Sequence, residues 1–412
     1  MENLFTKRRN TGTSIPIKIL PETSGRIASV DVYRGFVMLL MMAEVLSFTK
    51  VSEALPNNNF WHILSFQQSH VAWTWLALHD MIQPSFTFLV GVVLPFSIAS
   101  RKSNGASNAS LIKHTIKRSV ILICLGIFLR SIDAQQTYFT FEDTLSQIGL
   151  GYPFLVLLGF YSQRTQLFAF LIIMVGYWLA FALYPLPAHT FNYIAAGVAN
   201  NWEHNLQGFA AHWNKNTNLA WAFDKWFLNL FPRKSVFLNN EGGYATLSFI
   251  PTLGTMILGL FAGNILQATT IKKEKVKKFI IIGICLIVAG ITLHITGINP
   301  IVKRIWTPAW TIFSGGICFL LLAFFYGIID VAGYKKWSFF LMVIGANSIA
   351  AYVISDGGMR EFIHKSLYVH LGQHFDEIAG SPYAPLVSGF ITLFIIWLIL
   401  FWMYRKKIFI KI

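Results

Sequence analysis

The chain has 412 residues, of which 55% are hydrophobic, 16% aromatic and only 12% charged, with a formal net charge of +15. Soluble domains carry about 25% charged residues. Half the usual solvating charge is therefore missing, and a mean hydropathy of +0.55 excludes a soluble multidomain protein, a disordered chain or a collagen-like repeat. The three cysteines (Cys124, Cys285 and Cys318) lie in apolar runs, where they read as small core residues rather than a disulfide or zinc framework.

A helix needs about 17–25 apolar residues to cross roughly 30 Å of hydrocarbon. In chain order, ten runs qualify: Val30–Phe48, Leu76–Ser100, Ile116–Ser131, Leu145–Tyr161, Leu167–Tyr184, Thr246–Gln267, Phe279–Thr296, Thr307–Ile329, Trp337–Ile354 and Ala384–Met403. The expected fold class is an all-α polytopic membrane protein of about ten transmembrane helices. The first 26 residues are polar and basic, with no small-residue cleavage site after the first apolar run, so no cleavable signal peptide is expected.

Lys and Arg set the expected orientation. Of the 33, 22 fall on one face, including Arg101, Lys102, Lys113, Lys117 and Arg118, the run from Lys272 to Lys278, and the tail from Arg405. That bias places both termini in the cytoplasm and gives the net charge anionic lipid as its default partner. Residues 1–28 then form a basic cytoplasmic segment, 29–404 one transmembrane domain, and 405–412 a basic cytoplasmic tail. A long non-cytoplasmic segment, 185–245, carries Trp202, Trp213, Trp221 and Trp226 with ten asparagines. Aromatic faces beside amides suit carbohydrate; an interfacial aromatic belt is the alternative.

Charged groups at membrane depth are costly and usually face a cavity. Asp31 and Arg34, three residues apart, share a helix face. They form either an anchoring ion pair or a site where Arg34 holds an anionic ligand. Glu44 closes the same run. The densest group is SHVAWTWLALHDMIQP at Ser69–Pro84, with His70, His79 and Asp80 around Trp73 and Trp75. A neutral imidazole takes a proton or carries an acyl group, and a carboxylate fixes its tautomer. On one straight helix His70 and Asp80 would lie about 15 Å apart, so direct contact requires a break. A structural histidine is the competing reading.

RIASVDVYRG at Arg26–Gly35, the His-x-x-Trp segment and the Asp ahead of Pro84 resemble the transmembrane acyltransferase family of heparan-α-glucosaminide N-acetyltransferase and its bacterial relatives. FLVGVVLPFSIASR (Phe88–Arg101), EGGYATLSFIPTLGTMILGLFAGNIL (Glu241–Leu266), INPIVKRIWTPAWTIFSGG (Ile298–Gly316) and GANSIAAYV (Gly345–Val353) extend the resemblance in order. It implies an acetyltransferase that uses cytoplasmic acetyl-CoA as co-substrate and acetylates an amino-sugar, glucosamine-like acceptor across the membrane. The implied catalytic residues are His70, Asp80, Asn347 and Ser348, the last two as oxyanion donors. Arg34, Arg101 and Lys113 would attract the CoA phosphates; Trp73, Glu44 and Trp306 would bind the acceptor. This sequence departs from the family at Thr74 and Trp75 after Trp73, at Val45, and at His79, where a small residue is usual. Those changes sit near the acceptor, so O-acetylation of a periplasmic glycan stays open, as does a secondary transporter. The eleven histidines show no ligand spacing, and no metal is expected. Expected partners are acetyl-CoA, an amino-sugar or glycan, the lipid bilayer and, in a homodimer, a second copy of the chain, with no nucleic acid. The expected location is a bacterial inner membrane.

Overall fold

The computed structural model describes residues 27–410. The basic stretch 1–26 and Lys411, counted above for orientation, lie outside the described residues. In chain order the helices are α1 Ala28–Met42, α2 Phe48–Ala54, α3 Asn59–Gln68, α4 Ile82–Ser103, α5 Asn108–Arg130, α6 Thr144–Gly159, α7 Gln163–Ala182, α8 Leu219–Phe227, α9 Phe249–Gln267, α10 Lys272–Ile295, α11 Pro308–Tyr326, α12 Phe339–Ala346, α13 Ser348–Asp356, α14 Met359–Leu371 and α15 Ala384–Arg405. Among the described residues β pairing is limited to one antiparallel bridge, between Thr74 and Val302. The chain is a polytopic all-α membrane protein.

Among the described residues, seven helical stretches are long and apolar enough to cross a membrane: Ala28–Ala54, Leu78–Ser103, Gln163–Ala182, Thr246–Gln267, Lys272–Ile295, Pro308–Val331 and Ser381–Arg405. The pair α12–α13, bent by 68°, makes an eighth when taken as one span. All ten expected runs fall in helices, but two do not qualify as spans. The run at Ile116–Ser131 belongs to α5, whose first half carries Lys113, Lys117 and Arg118. The run at Leu145–Tyr161 becomes α6, only 16 residues, which at 1.5 Å per residue falls short of the hydrocarbon thickness.

Polar residues start the helices where the sequence places them. Asp143 caps α6 by accepting from the Leu145 and Ser146 N–H groups, each at 3.0 Å. Thr307 caps α11 through the Trp310 N–H at 3.2 Å, with Pro308 in the first turn. Between helices, small residues allow close approach, as expected where lipid removes the hydrophobic drive for helix pairing. At the α4–α9 crossing, a Cβ on Gly91 would stand 1.9 Å from the Met256 carbonyl oxygen, and one on Gly259 1.9 Å from that of Phe88.

The segment 185–245 packs as a cap. Trp213 is fully buried beside Trp73, Tyr177 and Phe181 in a second apolar cluster. Two of its asparagines tie the backbone together. Asn214 bonds Leu206 through both ends of its amide (2.7 and 3.0 Å), and Asn216 donates to the Ala196 and Asn240 carbonyls, both at 2.9 Å. These amides are therefore committed to holding the cap together rather than offered to a sugar.

Candidate active site

The chain is not helical between α3 and a short 3-10 turn at Leu78–Met81. This break folds residues 69–77 back, so that His70 Nδ1 meets Asp80 Oδ1 at 2.7 Å. A second loop, between α10 and α11, lies alongside. Trp75 N–H donates to the Ile301 carbonyl at 3.1 Å, and Arg304 donates to the Val71 carbonyl at 3.0 Å. The pairing delivers Lys303, whose ammonium is 3.0 Å from Asp80 Oδ1 and 3.1 Å from His70 Nδ1.

Asp80 is fully buried, and a buried carboxylate is tolerable only when paired and hydrogen-bonded. Both conditions hold. Oδ1 receives His70 and Lys303, while Oδ2 accepts from the Ala77 N–H at 3.0 Å and the Val71 N–H at 3.3 Å. A proton on Nδ1 serves the carboxylate, its closer neighbour at 2.7 Å, with Lys303 donating to Asp80, and that tautomer leaves the Nε2 lone pair free. The His70 side chain is 40% exposed and its Nε2 has no hydrogen-bond partner among the described residues, while its orienting partners are buried. This arrangement supplies a base or a nucleophile held in one tautomer. A second imidazole, His79, lies with its ring centroid 4.8 Å from that of His70.

The remaining expected residues are distributed differently. Trp73 is fully buried; its indole donates to the Trp213 carbonyl at 3.1 Å and meets the edge of Trp202. Trp306, 2% exposed, donates to Thr255 Oγ1 at 3.1 Å. Both indoles are buried beneath the loops with their N–H groups committed to protein acceptors, so neither ring is open to the surface. Trp75 is exposed and meets the ring of His294 edge-on. Glu44 is half exposed and ion-paired with Arg360 of α14 at 2.9 Å. Asn347 lies at the α12–α13 break. Its amide donates to the Ile408 carbonyl at 2.9 Å and accepts from the Ile410 N–H at 3.2 Å, fastening the C-terminal segment. Neither Asn347 nor Ser348, the first residue of α13, hydrogen-bonds to the His70 cluster.

Arg34 pairs with Asp31 at 3.5 Å on α1. Arg101 and Lys113 gather at the α4–α5 turn, where the Arg101 guanidinium meets His114 at 2.7 Å and Arg118 donates to the Tyr152 hydroxyl at 3.1 Å. No Asp or Glu occurs between Asp80 and Asp133, so this end of α4 is cationic. It lies about 30 Å along the helix from the Asp80 end. Among the described residues no group of three or more His, Cys, Asp or Glu could hold a metal ion.

Sequence reading missed Lys303, Arg304 and Arg360. The signal available was charge placement: Lys303 and Arg304 break the positive-inside bias by falling on the Lys-poor face.

Fold and site thus define a multi-pass α-helical membrane protein with an oriented histidine where two loops meet at the end of the bundle. No family model matches the chain. It is 23% identical over 431 aligned residues to the heparan-alpha-glucosaminide N-acetyltransferase of Homo sapiens, covering 94% of this chain and 60% of that protein. With the protein of the same name from Mus musculus it shares 22% identity over 434 residues, or 95% of this chain and 62% of the relative. The chain is a distant relative of these proteins, and spans about three-fifths of their length.

Proposed function

We propose that this protein is a membrane acetyltransferase that takes acetyl from cytoplasmic acetyl-CoA and passes it to an amino-sugar, glucosamine-like acceptor on the opposite side. The observation that carries the reading is the free Nε2 of His70, fixed by a buried Asp80 that Lys303 balances. The distant relatives, named as N-acetyltransferases, point the same way.

In this reading the phosphates of CoA are drawn to the cationic end of α4, with Arg101, Lys113 and Arg118 supplying the field. The thioester is presented at the His70 end. Nε2 takes a proton from the acceptor nitrogen as it attacks the acetyl carbonyl; the C–S bond breaks and the thiolate leaves as CoA–SH. A two-step route through acetyl-imidazole uses the same lone pair, and trapping of a labelled acetyl-enzyme distinguishes the two. The proposed setting is a bacterial inner membrane, with both termini cytoplasmic.

The test is consumption of labelled acetyl-CoA by detergent-purified protein, with and without glucosamine, for wild type and His70→Ala. Acetylated sugar from the wild type alone is expected. Normal turnover by a folded His70→Ala variant would overturn the mechanism. Absence of acetyl-CoA binding by the wild type would overturn the function.

A further inference from the structure

Beside the His70 site, α3 and the start of α15 form a groove of about 540 Å³ whose lining side chains are all apolar, among them Leu46, Phe48, Trp61, Leu64, Val387 and Phe390. Trp61 joins its walls: the ring centroid is 6.0 Å from that of Phe48 and 5.8 Å from that of Tyr383, the residue before α15. α3 has no Asp, Glu, Lys or Arg and no buried residue, and it exposes Phe60 and Ile63 at 61% each. An uncharged helix with aromatic residues turned outward belongs at the membrane interface. The α15 wall lies in the first turns of a membrane span, and Phe390 is 64% exposed, so the groove opens sideways towards hydrocarbon. Its polar end is the catalytic end. Gln68, which closes α3, accepts from the Phe48 N–H at 2.8 Å and donates to the Ala43 carbonyl at 2.7 Å. Gln67 accepts from the Leu78 N–H at 2.8 Å, in the turn that bears Asp80. Phe48 is a wall of the groove and His70 follows Gln68 by two residues, so at most about 8 Å of chain separates His70 from that anchor.

Resting on the acetyltransferase reading, we propose that the acceptor is an amphiphile, an amino sugar carried on a hydrocarbon chain, with the chain in this groove and the amine at His70 Nε2. The groove is an uncharged channel entered from the bilayer, and it ends where the base stands. Trp73 and Trp306 are closed off from the surface, and the groove takes over the apolar share of recognition. CoA does not compete for it. No cation lines the groove to meet its phosphates, which are drawn instead to the Arg101 end of α4, about 30 Å away. A chain-bearing acceptor is confined to the leaflet and arrives with its head group at the level of the interface, beside His70. Free glucosamine has only polar contacts to hold it there.

The test compares transfer from labelled acetyl-CoA to glucosamine and to octyl glucosaminide, in nanodiscs of phosphatidylcholine, a lipid with no amine to acetylate. Each methylene removed from water strengthens binding about fourfold, so the wild type should show a KM at least about tenfold lower for the octyl acceptor. Partition of the chain into the disc lowers KM as well, but partition is indifferent to the walls of the groove. Val387→Trp fills the groove from α15 and Leu64→Trp fills it from α3. In each, the ratio of the two KM values should fall at least about fivefold. Taking the ratio within one variant cancels any general loss of activity or folding. Leu398→Trp, at an exposed position of α15 outside the groove, should keep the wild-type ratio. An unchanged ratio in both filled variants assigns the effect to partition and overturns the proposal. So does a wild type with equal KM values, or one that takes glucosamine alone. Failure of the wild type to acetylate either acceptor overturns the underlying reading instead.

Discussion

Asp80 is the residue on which the site depends, because a carboxylate with no exposed surface is tolerable only with its full set of partners. Replacing Lys303 with Met keeps the length of the side chain but leaves that charge short of its cation. Breaking a buried pair in this way costs about 3–5 kcal/mol, so Lys303→Met should lower the melting temperature in detergent as well as kcat; an unchanged melt would show that the pair is not structural. Asp224 of the cap presents the opposite case. Its Oδ2 accepts from the Thr246 N–H at 2.9 Å, Oδ1 has no partner, and burial raises its pKa to about 7. Glu142, which faces it, is raised by burial as well. Because the folded state holds the proton more tightly than the unfolded one, Asp224 contributes stability fully below about pH 4 and loses it as pH rises towards 7. Thermal melts of the wild type should fall across that window, and Asp224→Asn should flatten the slope. An identical slope in the variant would assign the pH dependence to other groups. At this scale the sequence disclosed His70 and Asp80, since both belong to one short polar segment. It did not disclose Lys303, 223 positions further on, nor the burial of Trp73 and Trp306, because burial leaves no mark on residue type.

Among the elements, the α4–α9 contact supports the catalytic loops. α4 follows directly from the turn bearing Asp80, and Thr255 of α9 receives the Trp306 indole below Lys303. A side chain at Gly259 would meet the Phe88 carbonyl, so Gly259→Val must separate the two helices. Overpacking of this kind costs about 1–3 kcal/mol, and a lowered melt with reduced acetyl transfer is expected. Gly176 of α7 has open space at its Cβ position, so Gly176→Val should behave like the wild type. Equal melts for both variants would remove the helix contact from the account of the site. The helices themselves were legible as apolar runs. The loop pairing through Trp75 and Ile301 was not, because one backbone hydrogen bond between distant segments leaves no periodic pattern.

For the whole molecule, the charge bias predicts that the α10 start and the 185–245 cap lie on opposite sides of the membrane. In a background with Cys124, Cys285 and Cys318 replaced, Lys277→Cys and Glu203→Cys, both exposed, should react with an impermeant maleimide in vesicles of opposite orientation. Labelling of both from one side would overturn the proposed direction of transfer. The sequence by itself determined the membrane class, the helical fold and the one short polar segment that holds both His70 and Asp80, because hydropathy and residue chemistry are local properties. Only the tertiary structure decided which runs are long enough to span, which tryptophans are buried, and which lysine joins the pair. Those outcomes depend on where distant segments meet, and a buried charge selects its partner by position in space rather than along the chain.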